Sequence, residues 1–228
     1  MSPPSTPDDR LQARLGCVFR NRDLLCAALT HSSTGVEHNY ERLEFLGDRV
    51  LNLVMAHELY ARFPAESEGD LAKRHAALVQ GKMLARIGRH IDLGEALRIS
   101  DAERQSGGAD NDNILADSFE ALLGALFLDA GLEECRRVIL DLWGGDVNTM
   151  RRPPRDAKTA LQEWGQARGL GLPSYTLVSR EGPDHAPFFE IEVRVGDYPP
   201  TRAKGASRRK AEKEAAAMLL THLEEMHA

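Results

Sequence analysis

Three carboxylates, Glu41, Glu44 and Asp48, recur at i+3 and i+4 spacing in the stretch Glu41-Arg-Leu-Glu-Phe-Leu-Gly-Asp-Arg-Val-Leu51. Advancing about 100° per residue along a helix gathers them within an arc of roughly 60°. Leu43, Leu46, Val50, Leu53 and Val54 fall on another face, the expected core stripe, while Phe45 flanks the acids on one side and Leu51 and Met55 on the other. A solvated acidic face is the ordinary reading of such a run. Solvated faces, however, usually mix signs in i,i+4 pairs, whereas these like charges repel. Apolar flanks remove the water that would screen them, and clustered carboxylates persist there when a cation neutralises them. A hard divalent metal, which prefers oxygen ligands, meets that need.

A second pair sits in Ile114-Leu-Ala-Asp-Ser-Phe-Glu-Ala-Leu-Leu-Gly-Ala-Leu-Phe-Leu128, a stretch apolar around most of a helix and therefore buried. Asp117 and Glu120 share a face of it. Unpaired, each would cost several kcal/mol and would rather protonate. Salt bridges, to Arg74 or Arg86, are one resolution; a shared metal is the other. Two acidic pairs, Glu44 with Asp48 and Asp117 with Glu120, favour the metal. Oxygen-only ligation points to Mg²⁺ or Mn²⁺, and a site of that kind suits phosphodiester hydrolysis, since a metal acidifies water and stabilises the departing oxygen. No Ser-His-Asp or Cys-His pairing competes. His31, His38, His57, His75 and His90 are scattered, and packing or surface roles suffice for them.

The elements that must hold these residues follow from periodicity. Helical segments are expected from Leu11 to Val18, Asp23 to Leu29, Tyr40 to Phe63 (stopped by Pro64), Ser67 to Gly81, Lys82 to Ile91, Asp110 to Asp129 and Glu133 to Trp143. Met1 to Arg10 reads as a frayed tail without the features of a secretory signal. Asn148 to Arg155 reads as a charged, Pro-rich linker. Beyond it Asp156 caps a helix through Arg168, and Tyr175–Arg180 and Phe188–Val195 alternate as strands around a Gly182–His185 turn. Thr201 to Lys204 is a short third strand, and Ser207 caps a long helix to about Leu223. The domains expected are thus 8–147, all-α, a linker at 148–155, and an α-β-β-β-α module at 156–226.

Composition bounds the setting. Of 228 residues 42% are hydrophobic and 28% charged, enough for a sizeable core, and no run reaches the length of a membrane span. Cys17, Cys26 and Cys135 lack metal-type spacing, so reduced thiols in a cytoplasmic protein are expected. The net charge of −6 hides an asymmetry: from Arg151 onward 13 basic face 11 acidic residues, leaving 16 against 24 before it. Ser207-Arg-Arg-Lys-Ala-Glu-Lys213 puts four cations at a helix N-terminus, where the macrodipole disfavours them. A phosphate backbone would account for that placement. Gln162 and Glu163 on the preceding helix, and His185 in the turn, are further candidate contacts to successive grooves of an A-form duplex.

These motifs together resemble ribonuclease III. Glu41–Asp48 is similar to the family's signature octet; Glu68-Gly-Asp-Leu71, Ser106-Gly-Gly108 and Leu115–Ala121 follow in the family's order, and Asp156 to about Leu223 resembles a double-stranded-RNA-binding domain. The resemblance implies that Glu44, Asp48, Asp117 and Glu120 bind Mg²⁺, with Mn²⁺ able to substitute, and that Glu120 is most critical for cleavage. It implies that Glu41 and Glu68 line the RNA-facing valley of a homodimer in which Phe45 inserts into the partner. It implies double-stranded RNA as substrate, 5′-phosphate and 3′-hydroxyl ends with short 3′ overhangs, processing of ribosomal RNA precursors and structured transcripts, and no organic cofactor or membrane. His75 stands where the family commonly has Arg, Ala203 where a Gly is usual, and Glu212 where the general RNA-binding motif has its third Lys. A non-catalytic RNA-binding protein of the same fold, and a hydrolase of small phosphoesters, are the competing readings; the first leaves the carboxylates unexplained and the second the C-terminal module.

Overall fold

The computed structural model describes residues 6–150, 153, 156–183 and 187–227. They form two compact units, Met1–Pro154 and Arg155–Ala228, each with its own hydrophobic core.

The first unit is helical. α1 (Pro7–Leu15) begins where the Thr6 hydroxyl accepts a hydrogen bond from the Asp9 N–H, and it buries Leu11 and Leu15. The frayed tail expected through Arg10 is corrected from Thr6 onward, residues 1–5 lying outside the described residues: Arg98 bonds Asp8 and Arg10 bonds Glu95, both at 2.8 Å, and pin this turn down. Val18 is 74% exposed because Gly16, in the left-handed region at φ 66°, has already ended the helix. α2 (Arg22–Ala28), α3 (Glu41–Arg62), α4 (Glu68–Val79) and α5 (Gly81–His90) lie where the periodicity puts them. α6 (Leu93–Ala96) and α7 (Asp101–Gln105) are too short to show a period and were not expected. α8 (Asp112–Ala130), capped by Asn111, packs along α3 and α5 with Leu115, Phe119, Leu122 and Leu123 fully buried. α9 (Leu132–Thr149) corrects the expectation of a helix ending at Trp143. It continues into the expected linker because Val147 is buried and Arg86 bonds Asp146.

The core stripe of α3 also differs from expectation. Leu53 is 57% exposed, whereas Leu51 and Met55 are buried beside Leu43, Val50 and Val54. α3 is covered on more than one face, which a single-stripe reading of its sequence misses.

In the second unit, α10 (Ala157–Gln166) starts at the Asp156 cap. β1 (Ser174–Glu181), β2 (Phe188–Arg194) and β3 (Thr201–Gly205) make an antiparallel sheet in the order β1-β2-β3, with an irregularity between Leu177 and Ser179. α11 (Arg208–Met226), capped by Ser207, packs Ala215, Ala216, Leu219 and Leu223 against Leu161, Val193 and Val195. Gly205 is required where β3 meets α11: a Cβ there would stand 2.6 Å from the Ala211 backbone nitrogen.

Candidate active site

Glu44 and Asp48 ride on α3, Asp117 and Glu120 on α8, and a pair of glycines brings the two backbones together. A Cβ on Gly47 would lie 1.7 Å from the Glu120 carbonyl oxygen, and one on Gly124 would lie 2.1 Å from that of Leu43. Neither position tolerates any side chain, so the carboxylates that flank the glycines are forced into one cleft. These glycines were not singled out from the sequence. Their signal is there nonetheless, as an interior Gly costs helix stability and is retained when packing needs it.

One carboxylate oxygen from each of Glu44, Asp117 and Glu120 lies within 4.8 Å of the others, and all three residues are partly buried. Burial, then the charges of Asp117 and Glu44, push the Glu120 carboxyl up to about 7. Burial, then Asp117 and Glu41, raises Glu44. Burial raises Asp117 too, against an opposing pull from His31. The arginines that offered a salt-bridge resolution are committed elsewhere: Arg74 forks onto Glu66 at 2.7 and 2.6 Å and donates to the Met150 carbonyl, and Arg86 pairs with Asp146.

Asp48 stands outside this group of three. Asn52 donates its amide to Asp48 Oδ1 at 2.6 Å, and Arg49 pairs with the other oxygen. His31, given only a packing or surface role from the sequence, lies beside Asp117 and stacks on Tyr40 with ring centroids 5.3 Å apart. Burial, then the charge of Asp117, pushes the Tyr40 hydroxyl up to about 12. No spacing rule reveals this, because the 31–39 segment has no periodicity and meets α8 only through the tertiary fold. His75 bonds the Asn52 carbonyl at 3.2 Å, a packing role.

An all-oxygen, partly dehydrated trio of this size fits a hard divalent cation, whose opposite ligands in a Mg²⁺ shell are ~4 Å apart. Glu41 and Glu68 are exposed at the starts of α3 and α4. Phe45 is 66% exposed beside a groove lined by Leu24, Ala27, Val36, Leu46 and Leu128. In the second unit Gln162, Glu163, Arg208, Arg209, Lys210 and Lys213 are all exposed; His185 lies outside the described residues.

The family profile described as ribonuclease-III-like matches residues 21–143, and the one described as a double-stranded RNA binding motif matches 157–223. Ribonuclease 3 of Caulobacter vibrioides is 50% identical over 216 residues, 92% of this chain and 93% of that protein. The chain belongs to the ribonuclease III family. Ribonuclease 3 of Cereibacter sphaeroides agrees, at 47% identity over 218 residues and 95% of each chain. Among solved structures, the nuclease domain of ribonuclease III from Campylobacter jejuni is 41% identical with a TM-score of 0.58, covering 60% of this chain and 94% of that one. A second structure of that domain, described for flexibility in a region involved in its dimer formation, has a TM-score of 0.59 and covers 61% and 97%. The chain is accordingly a ribonuclease III-type endoribonuclease, a hydrolase, whose nuclease match spans both carboxylate-bearing helices and whose RNA-binding match spans α10 to α11. Among the described residues no helix is long and apolar enough to cross a membrane.

Proposed function

We propose that the chain is a divalent-metal-dependent endoribonuclease that cuts both strands of duplex RNA as a homodimer in the cytoplasm. The observation that carries the reading is the convergence of Glu44, Asp117 and Glu120 in one partly dehydrated cleft. Left without a cation, that convergence is a net electrostatic cost that His31 and Arg49 only partly offset; with one it becomes a site for phosphodiester chemistry. Glu44, Asp117 and Glu120 would hold Mg²⁺, or Mn²⁺ in its place, joined by Asp48 once its carboxylate turns from Arg49 and Asn52. When bound, the ion supplies Lewis acidity, which acidifies water and offsets charge on the phosphate and the leaving 3′ oxygen.

The side chains have separate tasks in this reading. Glu120, the most desolvated of the acids, must lose its proton for the site to load and is the residue cleavage depends on most. Glu41 and Glu68 line the valley that faces the RNA. Gln162 and Glu163 contact a minor groove, as does His185, while Arg208, Arg209, Lys210 and Lys213 meet phosphates across the intervening major groove. The products are duplex ends with a 5′-phosphate, a 3′-hydroxyl and a short 3′ overhang; precursors of ribosomal RNA and structured transcripts are the cellular substrates. No organic cofactor takes part.

Long duplex RNA incubated with the protein and Mg²⁺ should give discrete fragments, which EDTA and Glu120→Gln each abolish. Binding without cutting under all metal conditions would instead assign the chain a non-catalytic role on RNA.

A further inference from the structure

The RNA-facing cations of the second unit are not all free. Glu212, one turn into α11, accepts from Lys158 Nζ at 2.8 Å with one oxygen and from Arg208 Nε at 3.0 Å with the other. Its side chain is only 14% exposed, and the bond from Lys158, supported by that from Arg208, holds its carboxyl below the usual range, so it is charged at neutral pH. Lys158 is also fixed from below, 4.6 Å over the Tyr175 ring. Lys213 pairs at 3.7 Å with Asp156. Of the four cations in the first two turns of α11, Arg209 and Lys210 make no ion pair within the described residues. The unit as a whole carries no surplus: from Arg155 to Ala228 there are 11 basic and 11 acidic residues.

We propose that Glu212 is a residue that sets RNA affinity, holding Lys158 and Arg208 in internal ion pairs that duplex phosphates must break. The inference rests on the reading of this unit as a duplex-RNA binder. Its physical basis is competition for two donors. Lys158 and Arg208 keep 39% and 61% of their side-chain surface in solvent, where a carboxylate partner is held weakly and a phosphate can displace it. Each such displacement leaves Glu212 charged beside the RNA backbone, so the pairing lowers both the affinity and the number of counterions released. A nuclease gains from that restraint, because products still carry the duplex that the binding surface recognises and must leave.

The test uses the full chain in EDTA, with a fluorescent RNA duplex titrated across a salt series. Glu212→Gln should bind roughly threefold to thirtyfold tighter at low salt, from two freed surface cations. The slope of log K against log salt should steepen by about one to two contacts. Glu212→Met, similar in length and helix preference, gives the same reading should the amide not fold. In a Lys158→Gln background the gain from Glu212→Gln should shrink, as coupled partners require. Unchanged or weaker binding with an unchanged slope would mean that Glu212 only ties α10 to α11, and overturns the proposal. So would an undiminished gain in the Lys158→Gln background. A parent chain that binds no duplex overturns the underlying RNA reading too, and is recognised by the absence of any titration.

Discussion

Glu120 concentrates the conflict between stability and chemistry. Its carboxyl, at about 7 against 4.5 for the free side chain, keeps a proton in the folded state that the unfolded chain gives up. Between those values the folded protein binds more protons, so its stability is fully present below about 4.5 and is lost as pH rises through about 7. The raised carboxyls of Glu44 and Asp117 act in the same direction. Replacing the acid with an amide should therefore stabilise the metal-free protein, by roughly 1–3 kcal/mol at pH 8 and almost nothing at pH 4. In thermal melts with EDTA, the Tm of Glu120→Gln should exceed that of the parent by ~3–8 °C at pH 8 and converge with it in acid. A gap independent of pH would refute the assignment of charge to this cleft. Added Mg²⁺ should close or invert the gap, since binding to the folded state alone raises Tm and the amide is a poorer ligand. The convergence of Glu44, Asp117 and Glu120 was legible in the sequence, because carboxylates with apolar flanks need a shared partner whatever the fold. The orientation of Asp48 and the approach of His31 were not: one depends on a rotamer shared with Arg49 and Asn52, the other on a loop that docks only in three dimensions.

Helix α3 against helix α8 is the element on which site geometry depends, and its tolerance is set by Gly47 and Gly124. Gly47→Ala pushes a methyl into the Glu120 backbone and must spread the helices or tilt them. Overpacking of that kind costs ~1–3 kcal/mol, and more when the obstacle is backbone. The variant should melt lower by several degrees and lose metal-dependent cleavage even where it remains folded, because the carboxylates separate. Gly145 makes the opposite case. It lies exposed in α9 with nothing within 4 Å of a built Cβ, so Gly145→Ala should raise Tm slightly, by up to ~1 kcal/mol of restored helix propensity, and leave cleavage unchanged. Calorimetry on the two variants separates a packing glycine from a merely tolerated one. This contrast also explains where sequence reasoning stopped short. The pair Gly144-Gly145 reads as the end of a helix, and local propensity supports that; burial of Val147 and the Arg86–Asp146 bond override it and carry α9 to Thr149. Long periodic segments such as α8 and α11 were readable because their burial pattern and their propensity agree.

At the scale of the whole molecule, Phe45 and the groove beside it belong to the same face of one chain. A projecting aromatic next to an apolar hollow is self-complementary, which is what a two-fold interface requires: the knob of each copy enters the hollow of the other. Phe45→Asp should then sediment as a monomer at micromolar concentration, where the parent is expected to sediment as a dimer, with little change in Tm attributable to the core, since Phe45 is 66% exposed. The placement of the acids adds a sharper expectation. Glu44, Asp117 and Glu120 all come from one chain, so each subunit of the proposed dimer would carry its own trio of acids. On the proposed reading, that arrangement would give two sites per dimer, one for each strand. A heterodimer of parent and Glu120→Gln subunits should consequently nick one strand of a duplex at a near-normal rate and leave the other intact, which denaturing gels of end-labelled strands resolve. Loss of cutting on both strands would mean that the subunits share one site; unimpaired cutting of both would mean that Glu120 is dispensable.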